Sequence, residues 1–195
     1  MIKKPFEQWL YEDVQKVFGI KRIRNHPVLA EWLSVPDALP LEKPLLKLQN
    51  LIEMRIEAWN EDELKLNFIA PLLNEIDYNF LPHYAVFSQR YFSLQTDTVE
   101  ANGRVEWLVS TGEQTPQKPF FFLHEYKAEK NSGNDPLGQL LIAMINAQIM
   151  NETPFSETSS FLYGCYNIGR IWFFVVLADK EYAVSRAYDA TQTDD

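Results

Sequence analysis

The stretch Pro119–Lys130, PFFFLHEYKAEK, constrains the fold of this chain more than any other. Phe120, Phe121, Phe122 and Leu123 form a run of large apolar residues that suits a strand covered on both faces. The run continues into Glu125 and Lys127, which lie two apart and therefore share one face of that strand. A buried charge without a partner is costly. The two must either neutralise each other as an ion pair at the strand end or be gathered for chemistry.

The surrounding pattern supplies the layers such a strand needs. Apolar residues recur at three- and four-residue steps in PFEQWLYEDVQKVF and PLLKLQNLIEMRIEAW, so the first fifty-odd residues read as helical. The proline-rich SVPDALPLEKP separates the two segments. A further helix is predicted from the N-cap Asn60 through EDELKLNFIAPLLNEID, with Glu63 closing a capping box. Pro71 predicts a kink or an early end to it.

Alternation then replaces helical spacing. AVFSQRYFSLQTDTVEA and RVEWLVS flank Asn102-Gly103, a strong two-residue hairpin signal. That hairpin would set Ala101 against Arg104 and place Glu106 and Leu108 on one face, with Val105, Trp107 and Val109 on the other. The turn NSGNDP leads into LGQLLIAMINAQIM, a helix apolar nearly all round and so predicted to be buried. FLYGCYN, RIWFFVVLA and EYAVSRAY read as closing strands, and the polar tail as frayed. A strand, a crossover helix and another strand imply parallel pairing beside the hairpin. The fold class is therefore α/β, a mixed central sheet flanked by helices.

Composition narrows the function. The single Cys165 rules out internal disulfides and a cysteine zinc site, and it reads as a buried bystander. No apolar run reaches the length of a membrane span, and MIKKPFEQWL lacks the character of a signal peptide, so a cytoplasmic location is expected. The net charge of −9 argues against a broad polyanion-binding surface. Residues 1–50 carry 8 Lys and Arg against 6 Asp and Glu, and the remainder 10 against 21. Any nucleic-acid contact is therefore local, and Lys21–Arg24 (KRIR) is either such a patch or a solvated face. His26, His83 and His124 show no ligand spacing and read as structural or solvent-facing. No glycine-rich phosphate loop is present.

Glu106 and Glu125 interrupt otherwise apolar neighbouring strands. Two converging carboxylates make an oxygen-rich site suited to Mg²⁺ or Mn²⁺, with Lys127 placed to hold a water or to stabilise charge on a phosphorus.

The order VEWLVS, HEYKAEK and a helix opening PLGQLL resembles the PD-(D/E)XK nuclease superfamily. NEDELKLNFIAPLL resembles the segment that opens the nuclease domain of type I restriction motor subunits. The resemblance implies a restriction-endonuclease-like domain over residues 58–190, with 1–57 an N-terminal helical extension and 191–195 a polar tail. It implies Glu61 as the acid of the first helix, Glu106 and Glu125 as metal ligands and Lys127 as the catalytic lysine. Gln139 would position the lysine or the scissile phosphate. At 106 the family usually has Asp, and this chain has Glu. The implied activity is hydrolysis of DNA with Mg²⁺ or Mn²⁺; the alternative is an inactive member serving as a nucleic-acid- or protein-binding module. A third reading is an unrelated α/β domain with surface ion pairs.

Overall fold

A computed structural model describes residues 1–34, 42–75, 83–130, 133–151 and 161–192. Parts of the proline-rich break, the last residues of the helix predicted beyond Asn60, part of the NSGNDP turn and most of the predicted tail lie outside them.

β5 (Gln117–Lys127) runs through the middle of one mixed sheet, as its apolar run requires. β3 (Ala85–Gln95), β4 (Val99–Thr111) and β5 form an antiparallel meander. Helix α6 (Pro136–Asn151) then crosses over to β6 (Leu162–Ile168), which pairs parallel with β5. β7 (Ile171–Ala178) and β8 (Glu181–Val184) extend the sheet antiparallel, and a short β9 (Tyr188–Asp189) also pairs with β7. The sequence expectation of a mixed sheet flanked by helices holds.

Each face of the sheet has its own cover. Leu108, Leu123, Leu162 and Val175 pack against α6, whose outer side is covered by Phe6, Trp9 and Val14. This explains why α6 is apolar all round: it lies between the sheet and the chain's first turns. Gly138 makes the close approach possible, since a Cβ there would sit 2.2 Å from the Trp9 carbonyl oxygen. Asp135 fixes the same junction, its Oδ2 accepting the Tyr11 N–H at 2.7 Å and its Oδ1 the Leu137 N–H at 3.0 Å. The opposite face carries α3 (Lys43–Arg55), α4 (Glu61–Leu64) and α5 (Ala70–Asn74), through Ile52, Leu64, Phe68 and Leu73 against Tyr126, Cys165 and Trp172. Asn60 and Glu63 form the expected capping box, each 2.9 Å from the other's backbone N–H. A π-helical turn, Lys65–Ile69, precedes Pro71 and absorbs the helix bond proline cannot donate.

The structure corrects the sequence reading in two places. The N-terminal segment is not purely helical. Around α1 (Tyr11–Phe18) it contributes β1 (Ile2–Pro5), parallel to the start of β4, and β2 (Lys21–Arg22), parallel to β8. α2 (Pro27–Trp32) follows, capped by His26, whose Nδ1 accepts the Val28 N–H at 3.2 Å.

The second correction is the hairpin. Asn102-Gly103 lies inside β4, where Ala101 pairs with Leu94 and Arg104 with Tyr91. The turn sits at 96–98 instead, closed by the Thr96 N–H to the Val99 carbonyl at 2.8 Å and by the Val99 N–H to the Thr96 hydroxyl at 3.0 Å. Gly103 is a glycine because Phe6 packs onto it: a Cβ there would lie 2.6 Å from the Phe6 Cβ. The predicted face assignment changes accordingly. Val105 and Leu108 enter the same core, and Trp107 the opposite one, so alternation reverses at Glu106.

Candidate active site

Pairing on both sides carries β5 into the interior, and His124 and Glu125 are sealed there with it. Glu125 is 3% exposed, and its Oε1 lies 2.6 Å from the Lys127 Nζ. The pair expected from the two-residue spacing is therefore made. The β4–β5 ladder pairs Leu108 with Leu123 and Trp107 with His124. That pair is the last of the ladder, and a cleft lined by Glu106 and Lys127 lies beyond it.

The cleft has a volume of about 740 Å³ and collects side chains from separate elements: Glu61 of α4, Gln89 of β3, Glu106 of β4, Lys127 of β5 and Gln139 of α6. Tyr91 and Arg104, cross-strand partners on the β3–β4 arm, form one wall. Four of the five residues singled out in the sequence, Glu61, Glu106, Lys127 and Gln139, thus line the cleft, and the fifth, Glu125, is buried against it through its ion pair with Lys127. Gln139 is 7% exposed and its Oε1 has no hydrogen-bond partner.

The electrostatics follow from crowding acids around one lysine. Burial pushes the Glu125 carboxyl up to about 8; Lys127 opposes the shift, and Glu106 and Glu61 add to it. Glu61 is likewise raised by burial, with Lys127 acting against and Glu106 acting with the shift. Burial alone would lower Lys127, but Glu125, Glu61 and Glu106 outweigh it and hold the ammonium above its ordinary value. These groups are near enough for each to set the others' protonation.

Sequence reasoning missed two members of the site. Gln89 has a left-handed backbone, φ 55°, and its side-chain amide donates to Glu106 Oε2. Tyr126 lies near Glu106, and burial together with that carboxylate raises its pKa. No local signal marks Gln89, because left-handed positions favour Gly, Asn and Asp. Tyr126 was masked by its place in an apolar strand.

The histidines do other work. His124 is fully buried, with Nε2 2.8 Å from Asn167 Oδ1 and its ring stacked on Trp172. Burial pushes it down to about 4, against the pull of the Asn167 bond, so it is neutral and structural. His26 caps a helix, and His83 is exposed. Cys165 is buried with its thiol pushed well up by desolvation, as a bystander should be. Lys21–Arg22 form the short edge strand β2.

Among the described residues no group of three His, Cys, Asp or Glu side chains is gathered around one metal position. The donors available are the carboxylates of Glu106 and Glu125. Such a pair fits a hard cation that keeps several waters. Carboxylate oxygens are the ligand type that Mg²⁺ and Mn²⁺ take.

No protein-family model matches the chain, and no curated protein matches it in sequence. Functional inference therefore rests on the cleft.

Proposed function

We propose that this protein is a metal-dependent phosphodiesterase of restriction-endonuclease-like, PD-(D/E)XK fold, acting on DNA. The observation that carries the proposal is the convergence of Glu61, Gln89, Glu106, Lys127 and Gln139 on one cleft above the Glu125–Lys127 pair. The antiparallel meander, crossover helix and parallel strand support the fold assignment.

Glu106 and Glu125 would hold Mg²⁺, which when bound supplies a Lewis acid for a phosphoryl oxygen and lowers the pKa of a coordinated water. Lys127 keeps its charge because three carboxylates surround it, and it stabilises the negative charge that grows on the phosphorus oxygens. The unpartnered Gln139 Oε1 can accept from the attacking water and orient it. On the arm, exposed Arg104 offers a phosphate contact and Tyr91, 62% exposed, a stacking surface for a base.

The second reading is a non-catalytic binding or assembly module on the same fold. The net charge of −9 and the glutamate at 106 favour it. Incubation with single- and double-stranded DNA and RNA, with Mn²⁺ or Mg²⁺ and with chelator, separates the two. The enzyme nicks or cuts at least one substrate, chelation stops it, and Lys127→Ala loses cleavage while keeping the fold. Absence of both cleavage and metal binding across the panel overturns the enzyme and makes the module the better account.

A further inference from the structure

β3 and β4 pair continuously except at one step. Ser88 pairs with Trp107 and Arg90 with Val105, but the pair between them, Gln89 and Glu106, is not made. At that step Gln89 adopts φ 55°, a conformation disfavoured for any residue with a Cβ. Its carbonyl is turned to accept from Arg104 Nη1 at 3.0 Å, and its side-chain amide donates to Glu106 Oε2. The distortion has a geometric result. Phe87 and Phe92, five positions apart, enter the same core, as do Val105 and Leu108, three apart. Strict alternation would place the members of each pair on opposite faces. The reversal re-aims Glu106, and Tyr126 of β5 lies close enough to it for the carboxylate to act on the phenol.

We propose that Gln89 is a positioning residue for the Glu106 carboxylate, its left-handed backbone and its side-chain amide together fixing where that metal ligand sits, with Tyr126 as the second support. A carboxylate offers about four acceptor sites. The Gln89 amide occupies one of these on Oε2, and the nearby Tyr126 hydroxyl can take another. Glycine would adopt the same backbone freely. What glutamine adds at this position is the amide that reaches Glu106. The inference rests on the metal-site reading above and adds the residues that orient one ligand.

The test uses the full chain and Mn²⁺ alone as probe, measured by calorimetric titration, with thermal melting in parallel. Gln89→Gly keeps the left-handed backbone and removes the amide. It is expected to melt no lower than the parent and to bind Mn²⁺ 10- to 100-fold more weakly, the usual effect of losing a partner of a ligand. Gln89→Asn, whose amide is shorter but whose backbone tolerates the same region, guards against misfolding of the glycine variant and should show the same loss. Tyr126→Phe should show a smaller one. In cleavage assays the variants should need more Mn²⁺ for half-maximal rate and recover at saturation. A parent that binds Mn²⁺ and a Gln89→Gly variant that binds it equally well would overturn the positioning role and leave the metal site standing. A lower melting temperature with unchanged affinity would make Gln89 structural only. A parent that binds no Mn²⁺ overturns both.

Discussion

His124 and Glu125 are neighbours on one strand and both are buried, yet the protein treats them in opposite ways. His124 points to the α3–α5 face, where the Asn167 Oδ1 accepts from its Nε2 and Trp172 covers it. Burial removes its charge, and the protein gains a packed polar pair. Glu125 points to the α6 face, where burial, Glu106 and Glu61 favour its neutral form and the Lys127 ammonium favours its charged one. The lesson is that burial by itself does not mark a site. What differs is whether other charged groups share the interior with the buried one.

The comparison can be broken experimentally, and the largest effect is expected at the charged face. Lys127→Ala should cut cleavage by at least 10²–10³-fold while far-UV circular dichroism and melting stay near those of the parent, because the ammonium acts mainly on the transition state. The reverse is expected next door. His124→Ala should leave Mn²⁺ affinity unchanged but cost about 3 kcal/mol in urea unfolding, from the cavity and the stranded Asn167 oxygen. Loss of metal binding in that variant would erase the distinction.

Protonation sharpens it further. Glu125 in the folded protein has a pKa raised above its unfolded value of 4.5, to about 8. The native state therefore holds this proton more tightly. The stability it contributes is fully present below about pH 4.5 and is lost as pH rises through about 8. Unfolding measured between pH 5 and pH 9 should show a steeper decline for the parent than for Glu125→Gln, and Mn²⁺ affinity should rise over the same window as the carboxyl ionises. The smallest effect is expected at the third kind of histidine: His26→Ala should cost about 1 kcal/mol, the worth of a helix cap, with no change in activity.

The strands and helix that carry Glu125, Lys127 and Gln139 were legible because continuous apolar runs leave few alternatives: β5, α6, β6 and β7 fall where the pattern predicts. The Asn-Gly signal failed because glycine serves two purposes. A missing Cβ permits a tight turn, but it also permits Phe6 to lie against the strand, and only tertiary structure decides between them. β1 and the two-residue β2 were illegible for a related reason, since segments so short take their conformation from the edge they join. Glu106 was assigned to the site by counting from a turn that is not there. It arrives instead through the reversal at Gln89, which no periodicity encodes. The acid-lysine pair, by contrast, needed only the two-residue spacing of a strand.

The pairing of β1 with the start of β4, and of β2 with β8, has a consequence for how the chain assembles in time. Ile2 waits for Val99, and Lys21 for Glu181, so each finds its partner only in a segment made much later. Closing such long loops is slow, because the entropy is lost before the contacts are gained. The meander and α6 can collapse from nearer neighbours first. Phe6 and Trp9 would then dock as a late step, sealing α6 only after most of the polypeptide has emerged. Until that moment the apolar outer side of α6 is open to water, and a chaperone that recognises bare hydrophobic helices would find its target there.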